Sequence, residues 1–186
     1  MHTKEELYSN KIFFNAALPL VKVIANDVPS LKKQFAHVHA IIQVSAKDPD
    51  APGGKVGMHF VVNSDEWLVH LNKVDPNPHV ELEFKSVEAM NAFFKGKMSP
   101  ATLPKMKGAV SHFGAFKAFL MTLLKMSSLL GATEAPKDEA TNELMVKCFF
   151  YLLSSGISQL NKMGHEDIYD WTSKSPDRVY AWAVDG

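Results

Sequence analysis

From Phe113 to Leu130 the chain reads FGAFKAFLMTLLKMSSLL, with Lys117 and Lys125 as its only charges. A run of about 18 apolar residues is long enough to span a bilayer. A lysine held at mid-bilayer is costly, however, so the two lysines argue for a helix packed inside a protein. Phe113, Phe116, Phe119, Leu120, Leu123, Leu124, Met126 and Leu130 form an apolar arc broader than a surface helix needs against one sheet. The fold that accommodates this helix must cover it on more than one side.

The layer it packs on is read from a change of period. In HVHAIIQVSA, Val38, Ala40, Ile42, Val44 and Ala46 are apolar and alternate with His39, Gln43 and Ser45, which predicts a half-buried strand. After the loop KDPDAPGGKVG, Met58, Phe60 and Val62 alternate with His59, Val61 and Asn63. Ser64 and Asp65 make a tight turn, and Trp67, Val69 and Leu71 carry the inward face of a third strand. Val80, Leu82 and Phe84 do the same for a fourth after the VDPNP turn. Four strands in sequence predict an antiparallel meander, and an extended piece around Met106 adds a fifth.

Helices flank this sheet. Glu5 to Phe35 reads as helical, with Pro19 kinking or splitting it and Asp27 and Ser30 placed to cap a second short helix. SVEAMNAFFKG predicts another, with Ser86 as N-cap, Glu88 near the positive end of the dipole, Gly96 as the stop, and Val87, Met90 and Phe94 facing the core. Ala132 to Asp138 reads as a linker, Asp138 to Met163 as a second long apolar helix, and DIYDWTSKSPDRVYAWAVDG as a hairpin. Residues 1–131 thus form an α+β domain, an antiparallel-dominated sheet of about five strands backed by helices. Residues 132–186 form a C-terminal extension, helix plus hairpin, packed on the same domain.

A chain of 186 residues is long enough to bury a proper core without staples. Twenty basic against twenty acidic residues give zero formal charge, so nucleic acid is not an expected partner. The single cysteine, Cys148, lies in LMVKCFFYLL and reads as a small buried hydrophobe. MHTKEELYSNK lacks the basic-then-apolar order of a signal peptide, and the expected location is the cytoplasm.

Catalytic and metal motifs fail on spacing. A phosphate loop would need glycine where Pro49 stands and a hydroxyl where Val56 stands. DPDAPGG lacks the ligands of a calcium loop, SSGIS lacks a nucleophile elbow, and HEDIY lacks the second histidine of a zinc helix. With Asn63 and Glu66 flanking the turn, His59 lies opposite His70, a weak candidate metal pair with no third ligand. The same register gathers Ile41, Val61 and Leu68 on the nominally polar face. The extension from Asp138, or a second subunit in a homodimer, is the expected cover.

The order of elements, the segment PNPHVELEFKSVEAMNAFFKGK and the following KMKG resemble the sterol carrier protein domain over roughly Leu31 to Gly131. The segment between Pro100 and Lys105 is shorter than in typical members, His79 stands where aspartate is often found, and the chain ends in AVDG, not a peroxisomal tripeptide. The resemblance implies a mixed sheet backed by helices, with an apolar tunnel between them for a fatty acid, acyl-CoA, phospholipid or sterol. It implies no cofactor and no catalytic residue. On that reading the tunnel takes Phe60, Trp67 and Val69 from the sheet, Phe94, Met98 and Met106 from the middle segment, and Phe116, Phe119, Leu120, Leu123 and Leu124 from the apolar helix. Nine methionines, Met90, Met98, Met106, Met121 and Met126 among them, suit a pocket that adapts to several apolar shapes. Lys95, Lys97, Lys105 and Lys107 form a rim for an anionic head group or membrane surface. The expected activity is therefore non-catalytic lipid binding, with transfer between membranes as its extension. The alternatives are an accessory or assembly domain with a filled core, and a metal-dependent enzyme on the His59 and His70 face.

Overall fold

A computed structural model of the chain describes residues 12–94, 97, 99–130 and 138–162. A π-helical turn, Phe13–Ala17, opens it and is followed by α1 (Leu20–Asp27), α2 (Pro29–Phe35), β1 (His39–Lys47), β2 (Lys55–Asn63), β3 (Glu66–His70) and β4 (Val80–Phe84). Then come α3 (Val87–Phe94), β5 (Lys105–Lys107), α4 (Phe113–Leu130) and α5 (Glu139–Lys162). The strands form one five-stranded sheet in the order β3-β2-β1-β4-β5.

The tight turn at Ser64 sets the β2–β3 hairpin, with Val62 facing Trp67, Val61 facing Leu68 and His59 facing His70, as the alternation predicts. The meander ends there. β4 does not pair with β3; it returns across the sheet and lies parallel to β1, from Ile42 beside Val80 to Ala46 beside Phe84. The sheet is therefore mixed. The segment between β3 and β4 is what carries the chain across. His79 fixes its landing point, because its backbone N–H donates to the Ile41 carbonyl at 2.9 Å and its Nδ1 accepts from the Ile41 N–H at 2.9 Å. β5 then adds an antiparallel edge to β4.

One face of the sheet carries the core. Ala40, Ile42, Val44 and Ala46 of β1, Met58, Phe60 and Val62 of β2, and Val80, Leu82 and Phe84 of β4 are all buried. Over them lie α3 and α4, and α1, α2 and α5 pack on one another and on α4 or the opening turn. Pro19 splits the first helical segment as expected. Proline has no N–H to give back to the chain, and Leu18 instead reaches to the Phe13 carbonyl at 2.8 Å, the wide π-type spacing. Asp27 and Ser30 do not cap α2. Its N-cap position is Val28, with no side-chain cap and Pro29 just inside, where the missing N–H costs nothing; Asp27 pairs instead with Lys147 of α5. Ser86 does cap α3, its Oγ accepting from the Ala89 N–H at 3.1 Å.

α4 has the length and composition of a membrane span, yet Ala115, Ala118, Phe119, Thr122, Met126 and Leu129 bury one face of it in the protein. Thr122 satisfies its hydroxyl by donating to the Ala118 carbonyl at 2.8 Å. α5 packs on the opening turn and α1, where buried Asn15 donates to Gln159 at 3.1 Å. The described part of the extension lies on the helical side, away from Leu68, which is 62% exposed. Gly96, the linker and the proposed hairpin fall outside the described residues.

Candidate functional site

The residues proposed for the tunnel fall into three groups. Phe60, Trp67 and Phe119 are buried, with Phe60 and Trp67 rings 5.6 Å apart, Phe60 and Phe119 6.1 Å apart, and Phe35 against Trp67 at 4.7 Å. Val69, Phe94, Phe116, Leu120 and Leu123 are half-buried, and Phe94 stacks obliquely on Phe13 at 4.1 Å and lies near Phe84 at 5.6 Å. Met106 and Leu124 are half or more exposed, at 50% and 56%. Met106 pairs with Leu82 and so sits on the helical side of the sheet, at its outermost strand. Met98 lies outside the described residues.

Within this group one polar atom is unaccounted for. The indole N–H of Trp67 is buried and has no hydrogen-bond partner among the described residues. An unpaired buried donor typically costs about 1–3 kcal/mol. The other side of the same residue is well held, because Lys22 donates to the Trp67 carbonyl at 3.0 Å.

The lysine rim is divided. Lys97 and Lys105 are exposed, and Lys95 lies outside the described residues. Lys107 is engaged: its ammonium donates to Glu81 at 2.9 Å and to Glu83 at 2.7 Å. These carboxylates point to the face away from the helices and are themselves buried. Glu81 also accepts from Ser45 at 2.6 Å, from Gln43 at 2.8 Å and from Lys55 at 3.2 Å, and Lys55 pairs with Glu83 as well. Burial opposes ionisation of Glu81, but the hydrogen bonds from Ser45, Lys107, Gln43 and Lys55 outweigh it and hold its carboxyl down to about 2. Hydrogen bonds to Glu83 and Glu81 in turn raise the Lys107 ammonium above the ordinary lysine range.

This four-charge network was not singled out in the sequence, although a signal was there. VELEF places two carboxylates, and KMK two ammoniums, at the same period of 2; the antiparallel pairing sets Glu81 against Lys107 and Glu83 against Lys105. Glu81, Lys55 and Lys107 border a cavity of about 700 Å³. Ala51 to Gly53, Val56, Gly57 and the Asn72 to Pro76 loop form most of its wall, with Phe14 reaching it from the helical side. The loop is moored over the sheet, the Asp75 N–H donating to Gln43 at 2.6 Å. None of the proposed tunnel residues lines this cavity.

His59 and His70 come together as the register requires, their rings stacked with centroids 4.5 Å apart. His59 uses Nδ1 on the Lys73 carbonyl at 2.8 Å. Burial, then the neighbouring His59 and Lys73, lower the pKa of His70. No group of three or more metal-ligating side chains occurs among the described residues, and the pair has the geometry of packed strand neighbours.

No family model matches the chain, and no curated protein matches it. Solved structures similar to it include a crystal structure of sterol carrier protein 2, 12% identical with a TM-score of 0.42, the match covering 59% of this chain and 95% of that one. Another is the solution structure of a conserved hypothetical protein from Thermus thermophilus, itself suggested to be a sterol carrier protein. It is 10% identical with a TM-score of 0.36, and the match covers 77% of this chain and 90% of that one. Both carry the name of the family that the sequence resembles. Similarity at these identities and scores does not extend to ligand or activity.

Proposed function

We propose that this protein binds a lipid or comparably apolar molecule, without reaction chemistry, along the flank of α4 that carries Phe116, Leu120 and Leu123. The observation that carries this is the amount of apolar surface that α4 leaves uncovered. With one face already buried, it still presents Phe113, Met121, Leu124 and Leu130 as exposed and Phe116, Leu120 and Leu123 as half-buried. An acyl chain laid along that flank removes such surface from water, at about 0.8 kcal/mol per methylene. The unpaired Trp67 indole offers a donor to a carboxylate or hydroxyl that reaches the end of the buried cluster. Fatty acid, acyl-CoA, phospholipid and sterol-like molecules all meet this description.

The mutual packing of Phe60, Trp67 and Phe119 favours a second reading, an accessory domain whose core is filled by its own side chains. The substitution Leu123→Trp separates the two. In a ligand cleft it abolishes binding of a fluorescent fatty acid and leaves stability nearly unchanged. In a filled core it overpacks and costs about 1–3 kcal/mol, with no fatty acid bound by either protein. Native mass spectrometry of protein purified without detergent supplies the natural ligand: a retained host lipid is expected, and its absence together with fatty-acid indifference refutes the lipid reading.

A further inference from the structure

Charge is distributed along this neutral chain in an uneven way. From Ala89 to Thr133 there is no aspartate or glutamate, while six lysines occur: Lys95, Lys97, Lys105, Lys107, Lys117 and Lys125. From Val28 to Lys47 there is again no acidic residue. These two stretches contain α4 and α2, which pack against each other. Lys32 and Lys33 of α2 and Lys117 of α4 are all exposed, and neither helix carries a carboxylate of its own. Asp27, at the end of α1, is occupied by Lys147.

The apolar residues on that surface are as uneven. Val110, in the turn before α4, is 93% exposed and Phe113, its first residue, 63%; further along, Met121 and Leu124 are 44% and 56% exposed. At about 100° per residue, Phe113, Leu120 and Leu124 fall within an arc of about 40°, and Phe113 and Leu124 stand about 16 Å apart along the axis. Lys117 lies beside this line, where its stem can follow the apolar stripe while its ammonium reaches outward.

We infer that this surface docks on an anionic lipid bilayer, with α4 lying in the interface plane and Val110 and Phe113 inserted below the head groups. An exposed apolar stripe on a helix that carries lysines and no carboxylate of its own is what such an interface selects. A second copy of the chain fits less well, because a two-fold contact across this face would set Lys117 against Lys117 without a carboxylate to pair them. Nucleic acid would accept the lysines and stack a base on Phe113, but it would leave Val110, Met121 and Leu124 in water. The inference rests on the lipid-binding reading and extends it: docking here sets the proposed Phe116 and Leu123 flank at the bilayer surface, so that an acyl chain can pass between bilayer and protein without crossing water.

The test is sedimentation of the full chain with vesicles of phosphatidylcholine, with and without phosphatidylserine. Wild type is expected to bind the anionic vesicles about tenfold or more tightly than the neutral ones, and less tightly in high salt. The double variants Val110→Ser with Phe113→Ser, and Lys33→Gln with Lys117→Gln, are each expected to lose about tenfold in anionic-vesicle binding while melting as wild type does. Vesicle binding that ignores both pairs overturns the inference. So does dimerisation in vesicle-free buffer that the Val110 and Phe113 variant abolishes, since the face is then a self-interface. Binding of a fluorescent fatty acid without vesicles is measured in parallel. Retention in the Lys33 and Lys117 variant is expected; fatty-acid binding without vesicle binding refutes docking alone, and vesicle binding without fatty-acid binding refutes the carrier function alone.

Discussion

Glu81 shows how a single residue can sit deep in the structure and remain charged. Its carboxylate is 2% exposed, a placement that would push an isolated acid toward its neutral form. Four donors surround it, two of them ammoniums, and the anion is retained. Because its folded-state pKa lies below its unfolded value, its contribution to stability is complete above about pH 5 and is lost as the pH falls toward 2. Acid titration of the wild type, followed by circular dichroism, is therefore expected to show stability falling over that window. Glu81→Gln is expected to lower stability at pH 7 by about 1–2 kcal/mol, because Lys55 and Lys107 lose one of their two carboxylate partners and keep Glu83, and to flatten the acid limb. An unchanged acid limb in the variant would assign the pH dependence elsewhere. Cys148 is the simpler case. It is 1% exposed and burial pushes its thiol up, so it packs as a hydrophobe, as its neighbours in the sequence predict.

At the scale of elements, the short connection from β5 to α4 is the tightest point. Gly108 has φ 71°, and a Cβ built on it would lie 1.8 Å from the His79 carbonyl oxygen. That carbonyl belongs to the residue that fixes where β4 enters the sheet, so the turn and the parallel pairing share one contact. Gly108→Ala is expected to cost more than about 2 kcal/mol, from the left-handed backbone and the backbone clash together. Hydrogen exchange should locate the loss in β5 and the first turn of α4. Exchange unchanged at β5 would show that the edge strand does not depend on this turn. KMKG in the sequence thus owes its glycine to close approach of two backbones, and its second lysine to Glu81 and Glu83. The first lysine, Lys105, remains exposed.

At the scale of the whole molecule, the question is whether α5 belongs to the domain. It contributes Leu144 and Cys148 to the core, binds Asn15 through Gln159 and pairs Lys147 with Asp27. These ties all run to the first helical segments, which are distant in sequence. The expected behaviour is one cooperative thermal transition for the full chain. A Leu144→Asp, Cys148→Asp double variant should lower the melting temperature by about 10 °C. Two transitions in the wild type, with only the smaller one moved by the variant, would make α5 a separate appendage.

The elements were legible in the sequence because they are decided locally. Alternation of period 2 placed Val38 to Ala46 and Met58 to Val62, the Ser64 and Asp65 turn fixed the register down to His59 opposite His70, and Ser86 marked the start of α3. The apolar residues of α4 identified it as a helix needing cover. The sequence could not say which strand β4 would choose, because antiparallel and parallel neighbours satisfy the same Val80, Leu82 and Phe84 alternation. The choice is made by the His79 clamp on Ile41. The two sides of α4 present the same difficulty. Phe119 and Leu124 look alike in the chain, and only the packing of α1, α2 and the sheet buries one and leaves the other in solvent. Burial depends on what else occupies the space around a side chain, and that is settled by contacts between residues far apart in the chain.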